Sequence, residues 1–510
     1  MKPTTLSKSA LHFSLGTALS RIGGLSREML TAYFLGTSPA LGAFLVAFRF
    51  AHLMRRIFAE GSLVNGFIPH FESIRAESPP RAAAFFRDLL FSTACVLGTL
   101  VLLIEGALFG CWKWMDLSEG TRQIVLLTML ILPGLPFLCL SALCSGLVQC
   151  WGRFFLTGLS PILFNMAWIG ALLWHRGSHA LETTICLACA ISVSFVMQWL
   201  LLMPGVFACL KGLLPARQWL SCSLFSRDLR QLLSSIALSI VGVSAMQINS
   251  FLDMLFARAA SLEGPAYLSY AIRLQQLPLA LFGIAISSAL LPPLSRAFKE
   301  GQFDTYRSLL SFALLRAFSF TLPCMLGMFL LGEGGIRLIY ERGSFDAASS
   351  WHTTTCLWSY AAGLIPMSFV LLLSPAFYAA KDFATPTIAS LLSIGLNVVL
   401  NALLIFYFHL GAESVALATS ASCFFNLWWL TRKLSLRVGN IFSPLAAPLG
   451  KIAVCGAGAA LLSGSLGLFF VPDSQLLRFA TLAAAFIGLF ILLAKWLKSE
   501  EILGLLRKKV

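Results

Sequence analysis

Charge is what this 510-residue chain has little of. Asp, Glu, Lys and Arg make up only 12% of it, against roughly one quarter in soluble domains. Too few charges remain to clothe a water-exposed globule, and the high apolar content excludes a disordered chain. A disulfide framework is also missing. The 13 cysteines are odd in number and lie mostly in apolar runs, so they read as small buried hydrophobes. Cys186 and Cys189 form a CxxC without a second pair, too little for a metal site. His175 and His179 sit in a short polar stretch and read as interfacial. No cleavable leader is evident: residues 1–10 are short and polar, and the next apolar stretch is long enough to span a bilayer.

What the chain does have is apolar length. Hydrophobic residues are 58% of it, arranged in repeated runs that meet the requirement of about 20 residues for a membrane-spanning helix. Fourteen spans are read, near 11–36, 40–68, 84–112, 122–150, 155–175, 180–210, 230–258, 265–295, 306–331, 350–380, 386–409, 411–431, 446–471 and 475–497. A spanning segment must satisfy its backbone internally, and these are continuous runs rather than short alternating ones. The expected class is an all-α polytopic membrane protein.

Lys and Arg outnumber Asp and Glu, 37 to 22. With the N-terminus placed inside, the inside loops hold 23 basic residues and the outside loops 7. That bias puts both termini in the cytoplasm and explains the charge excess without nucleic acid. Seven basic residues are left inside spans: Arg21, Arg27, Arg49, Arg55, Arg56, Arg273 and Arg316. Five of them fall in the first two spans.

The chain also repeats weakly. At a shift of 224 residues Ser20 meets Ser244, Ala47 meets Ala271, Arg49 meets Arg273 and Pro69 meets Pro293. Further on the shift drifts to about 230: Gly134-Leu135-Pro136 falls beside Gly363-Leu364-Ile365-Pro366, and Asn165 opposite Asn397. The reading is an N-terminal lobe over 1–220, a C-terminal lobe over 221–440, and two further spans with a cytoplasmic tail over 441–510. Parallel repeats of this kind occur in transporters that bind substrate between the halves.

Span 2 carries Arg49, His52, Arg56 and Glu60 on one helical stripe, with Arg55 about 100° around. A charge near the bilayer centre costs at least about 2.5 kcal/mol, so these side chains must face protein or water. Glu60 and Glu28 can neutralise one or two of the arginines; the remainder call for an anion. Arg21 and Arg27 flank Gly23-Gly24, where a break in the span would release backbone N–H groups. The planar guanidinium fork matches phosphate. Arg273 is the repeat counterpart in span 8, and Arg316 has no nameable partner. A second constellation comprises Asp253, Asn397, Asn401 and Thr419. It is either an oxygen-only Na⁺ site or an interhelical hydrogen-bond cluster. Acids inside the spans are scattered singly, which gives no paired carboxylates for catalysis, so no enzyme is expected.

Three stretches then become familiar. They are Ser20-Arg21-Ile22-Gly23-Gly24-Leu25-Ser26-Arg27-Glu28, Arg55-Arg56-Ile57-Phe58-Ala59-Glu60-Gly61 and Tyr270-Ala271-Ile272-Arg273. With Phe377-Tyr378-Ala379-Ala380-Lys381-Asp382, they resemble the MurJ (MviN) lipid II flippase family of the multidrug/oligosaccharidyl-lipid/polysaccharide (MOP) exporter superfamily. The resemblance implies the MOP exporter fold with two six-helix lobes and two added helices. It implies alternating-access transport of lipid II, the undecaprenyl-pyrophosphate-linked peptidoglycan precursor, across the inner membrane. Arg21, Arg27, Arg55, Arg56 and Arg273 would be pyrophosphate or cavity residues. Arg49 stands where lysine is frequent, Glu28 where aspartate is usual, and Glu60 matches. The last two helices would form a groove for the polyprenyl tail. Ile272 and Gln276 replace acids found in relatives, and Asn401 stands where some have aspartate. Na⁺ is therefore one candidate coupling ion, beside protons and membrane potential. The expected partners are lipid II and inner-membrane phospholipids, with a monomeric chain. The alternative is a cation-coupled exporter of another polyprenyl-linked saccharide or a drug on the same fold.

Overall fold

The computed structural model describes residues 23–58, 62–175, 177, 179–215, 218, 221–224, 226–469, 474–497 and 499. Among the described residues there is no strand. The chain divides into two compact units, Met1–Leu255 and Phe256–Val510.

In the first unit, α1 covers 23–35, followed by α2 (Pro39–Phe58), α3 (Ser62–Glu77), α4 (Pro79–Trp114), α5 (Glu119–Ile131), α6 (Leu135–Cys150), α7 (Phe154–Trp174) and α8 (Ala180–Leu210). Helix α9 (Arg227–Ala260) runs on into the second unit. There α10 (Gly264–Pro278), α11 (Ala285–Lys299), α12 (Phe303–Tyr340), α13 (Ala347–Ala362), α14 (Leu364–Ala379), α15 (Ala384–Ala402), α16 (Glu413–Val438), α17 (Ala446–Phe469) and α18 (Gln475–Trp496) follow.

Among the described residues, each expected span coincides largely with helix. Nine helices among the described residues are long and apolar enough to cross a membrane, or ten if α13 and α14 form one span bent by 42°. The other four expected spans coincide with α1, the α2–α3 pair, α9 and α16, which lie outside that set. Helix α4 has 36 residues, about 54 Å at 1.5 Å per residue, so it outreaches a core about 30 Å thick. Its first turns are accordingly polar. Arg81 donates to Asp228 at the start of α9 (Nε 3.1 Å, Nη2 2.6 Å). Along the same helix Leu102 and Leu103 are 73% and 68% exposed, as lipid-facing positions should be.

In the first unit α8 packs on α2, α5, α6 and α7, and α3 packs on α4 and α6. The core at the loop-rich end is aromatic: Phe67, Phe71, Phe85 and Phe86 are buried together. In the second unit α16 packs on α13, α14 and α15, while α12 carries α17 and α18 on Leu322, Ile452, Cys455 and Ala494.

The two units repeat one packing device. The fourth expected span is broken at Leu132–Gly134 by a short 3₁₀ turn, and the tenth at Gly363. A Cβ on Gly134 would meet Ser192 Cα at 2.8 Å, and one on Gly363 would meet Ser420 Cα at 2.8 Å. Each serine caps the break: Ser192 Oγ donates to Leu130 O (2.6 Å) and Ser420 Oγ to Ser359 O (2.6 Å). At the second break Gly363 N turns to Tyr360 O (3.0 Å), so Ser359 O loses its usual donor and the serine hydroxyl supplies one. Spans 8 and 11 each contain a wider π-helical stretch, Leu279–Ile284 directly after Pro278 and Leu403–Tyr407.

Candidate functional site

Helix α1 places Arg27 against α7. Arg27 Nη1 donates to Asn165 Oδ1 (3.1 Å) and Nη2 to Glu28 Oε1 (3.1 Å). The guanidinium lies over the rings of Trp168 (4.9 Å) and Phe164 (5.3 Å). Thr31 Oγ1 donates to Arg27 O (2.7 Å) and accepts from Trp168 Nε1 (2.9 Å). The side chains of Arg27 and Glu28 are 13% and 18% exposed. One face of the fork is thus stacked and two of its nitrogens are directed, which fixes the plane of the guanidinium.

Helix α2 joins the same wall. Phe44 and Phe48 each approach Trp168 edge-on at 5.3 Å, and Phe48 stacks on Phe164 at 5.8 Å. His52 meets Phe48 at 4.4 Å. The spacing of three and four residues keeps Arg49, His52 and Arg56 on one stripe. Arg49 and Arg55 are half-buried and Arg56 is exposed. Arg55 faces Cys139 of α6 and feels Arg56 beside it. Arg27 and His52 of the α2 stripe therefore border one aromatic wall. Segment 23–58 holds four arginines and one acid, Glu28. Arg21 and Glu60 lie outside the described residues.

In the second unit Arg273 is exposed on α10. Arg316 of α12 lies over Phe312 at 5.3 Å, and its Nη1 is buried with no hydrogen-bond partner among the described residues.

The oxygen cluster divides between the units. Asn401 Nδ2 donates to Asn397 Oδ1 (2.9 Å), Asn397 Nδ2 to Thr419 Oγ1 (3.2 Å), and Thr419 Oγ1 to Val415 O (3.0 Å). Asn397 and Asn401 are 1% and 0% exposed. This is a directed chain from α15 to α16. Two of its side-chain oxygens each accept one hydrogen bond and keep a second lone pair. Asp253, the acid of the set, is buried on α9 in the first unit. No group of three or more His, Cys, Asp or Glu among the described residues could hold a metal.

Sequence reasoning missed Thr31, Phe164 and Trp168, and saw Asn165 only as a repeat partner. An asparagine within an apolar span was the available signal.

Residues 31–494 match the family model described as lipid II flippase MurJ. The chain is 33% identical over 428 residues to the "Probable lipid II flippase MurJ" of Chlamydia pneumoniae, covering 84% of this chain and 76% of that protein. Among solved structures it resembles a lipid II flippase MurJ in an inward closed conformation, at TM-score 0.76 and 22% identity, covering 97% of this chain and 99% of that one. It also resembles an inward-facing multidrug resistance MATE transporter of the MOP superfamily, at TM-score 0.67 and 15% identity, covering 84% and 98%. At those identities the two structures establish the fold.

Proposed function

The chain belongs to the lipid II flippase MurJ family, and we propose that it carries lipid II from the cytoplasmic to the periplasmic leaflet of the inner membrane. One observation carries the reading at residue level: the arginine-rich α1–α2 segment, set on an aromatic wall inside a bundle of apolar helices. A pyrophosphate is a doubly phosphorylated anion, and guanidinium forks bind such groups with paired, charge-assisted hydrogen bonds. In this proposal Arg27, Arg49, Arg55 and Arg56, with Arg21, engage the pyrophosphate, while Glu28 and Glu60 set the resting orientation of the forks. Arg273 of the second unit serves the same ligand. The headgroup crosses by alternating access while the polyprenyl tail stays in the bilayer beside α17 and α18. The surplus of basic residues in alternate loops supports cytoplasmic termini.

Asp253, Asn397, Asn401 and Thr419 are proposed to hold Na⁺ as the coupling ion. Hard oxygen donors suit it, and Asp253 supplies the one negative charge. The alternative, a cation-coupled exporter of another saccharide lipid or a drug, is favoured less, because a cationic drug would call for acids where α1 and α2 carry arginines.

The test is transport of labelled lipid II by the reconstituted protein, with complementation of a flippase-depleted bacterium. Arg27→Ala, Arg56→Ala and Arg273→Ala should each abolish complementation while the protein still inserts. Normal growth with all three replaced removes the pyrophosphate role.

A further inference from the structure

A cavity of about 630 Å³ opens within the first unit, lined by Arg75, Trp151, Gly152, Lys211 and the first residue of α4, Pro79. It lies where the ends of α3, α6 and α8 meet the starts of α4 and α7. Its volume is in the range of small-ligand sites.

The walls are built. Arg75 lies over the Trp151 ring at 4.6 Å, donates from Nη1 to Cys150 O (3.3 Å), and pairs through Nη2 with Glu72 Oε2 (2.7 Å). The turn is closed by Trp151 N and Arg153 N, both donating to Val148 O at 3.2 Å. Gly152 has φ +70°, the left-handed conformation that glycine adopts without strain. Gly205 of α8 lets Val148 and Leu156 pack close, which brings the α6–α7 turn to the end of α8. Arg153 and Arg75 both lie within electrostatic reach of Cys209, another lining residue.

Charge is unbalanced there. Arg75 is offset by Glu72. Arg153 and Lys211 are exposed and have no carboxylate partner among the described residues. The start of α4 adds little to this, because Pro79 and Pro80 at its first two positions carry no N–H.

We propose that this cavity is a binding site for a phosphate group, held by Lys211 of its lining and by Arg153, next in sequence to the lining Gly152, and bordered by the Arg75–Trp151 stack. The group can come from a membrane lipid or from a soluble phosphate ester. The surroundings favour the lipid. Phe155 and Phe207 are 56% and 64% exposed, two residues after Arg153 and one turn before Lys211. They continue the lipid-facing stripe of their helices up to the two cations, as a phosphodiester with acyl chains would need. A purely structural role, with each cation satisfying helix-terminal carbonyls, predicts a change of stability and no phosphate preference.

The experiment uses the full chain in nanodiscs of dioleoylphosphatidylcholine containing dioleoylphosphatidylglycerol. Lipid retained by the protein is counted by native mass spectrometry, with and without soluble glycerol 3-phosphate. The wild type should retain phosphatidylglycerol over phosphatidylcholine. Arg153→Ala and Lys211→Ala should each weaken retention about tenfold, equivalent to about 1.4 kcal/mol. Arg153→Lys with Lys211→Arg should restore it. Displacement by glycerol 3-phosphate identifies a soluble ester as the source; resistance to it identifies the lipid. Equal retention by the wild type and the double alanine variant overturns the proposal. All of these variants leave the arginines of α1 and α2 intact, so a failure here is separable from a failure of the transport reading.

Discussion

Gly363→Ala tests whether the breaks in the long spans are set by close approach of backbone. An added Cβ would sit 2.5 Å from Ser420 Oγ and 2.8 Å from both Ser420 Cβ and Cα. The hydroxyl could rotate away, but Cα belongs to α16, whose position is fixed by packing on α13, α14 and α15. Gly363 has φ −87°, so alanine is not strained by its backbone, and its smaller unfolded-state entropy would by itself stabilise by about 0.4–1 kcal/mol. Overpacking of a tight contact costs about 1–3 kcal/mol and outweighs that gain. The expected net loss is about 1–2 kcal/mol, a fall of roughly 2–8 °C in melting temperature for a unit of this size. The assay is thermal unfolding of the purified protein in detergent. Gly395→Ala is the control. It is also helical, but a Cβ there meets nothing within 4 Å, so alanine should raise stability by up to about 1 kcal/mol. Gly134→Ala, which would meet Ser192 Cα at 2.8 Å and Phe195 at 2.9 Å, should behave like Gly363→Ala. A Gly363→Ala protein that melts at or above the wild type would refute the reasoning.

Arg27→Lys keeps the charge but loses the fork that reaches Asn165 and Glu28 together. Initial transport rates should fall between those of wild type and Arg27→Ala; a wild-type rate would make fork geometry irrelevant. Asp253→Asn should weaken any Na⁺ dependence of transport, and an unchanged dependence favours a hydrogen-bond cluster. Asp382, in the loop between α14 and α15, gives a pH test. Burial opposes its ionisation, but bonds from Thr385 N (3.0 Å) and Thr385 Oγ1 (2.6 Å), with Arg437 at 2.6 Å, hold its carboxyl below the usual range. Such a group stabilises above its unfolded value of about 3.9, and the contribution is lost as pH falls through the lower folded value. Asp382→Asn should therefore melt lower at pH 7 and lose less on acidification to pH 3; parallel acid limbs would exclude the role.

How far the sequence could be read depended on the range of the interaction. Span positions were legible because bilayer thickness imposes a run length that any window along the chain detects. The stripe of Arg49, His52 and Arg56 was legible because helical periodicity is local. The breaks at Gly134 and Gly363 were visible only as matching motifs. Their cause is a serine near the far end of each six-helix set, at Ser192 and Ser420, which no local pattern reveals. The partners of Arg27 were illegible for the same reason, since Asn165 is 138 residues away.

Asn165 and Asn397, which fall opposite one another in the expected repeat, make different bonds. Each is an amide within an apolar helix, where it must find a partner. Asn165 accepts from Arg27; Asn397 accepts from Asn401 and donates to Thr419. An amide can do either, because it carries both an acceptor and two donors. The local choice is set by what the neighbouring helices present: arginine from α1 in the first unit, amide and hydroxyl from α15 and α16 in the second. The same residue type thus anchors an arginine in the first unit and links a neutral chain in the second.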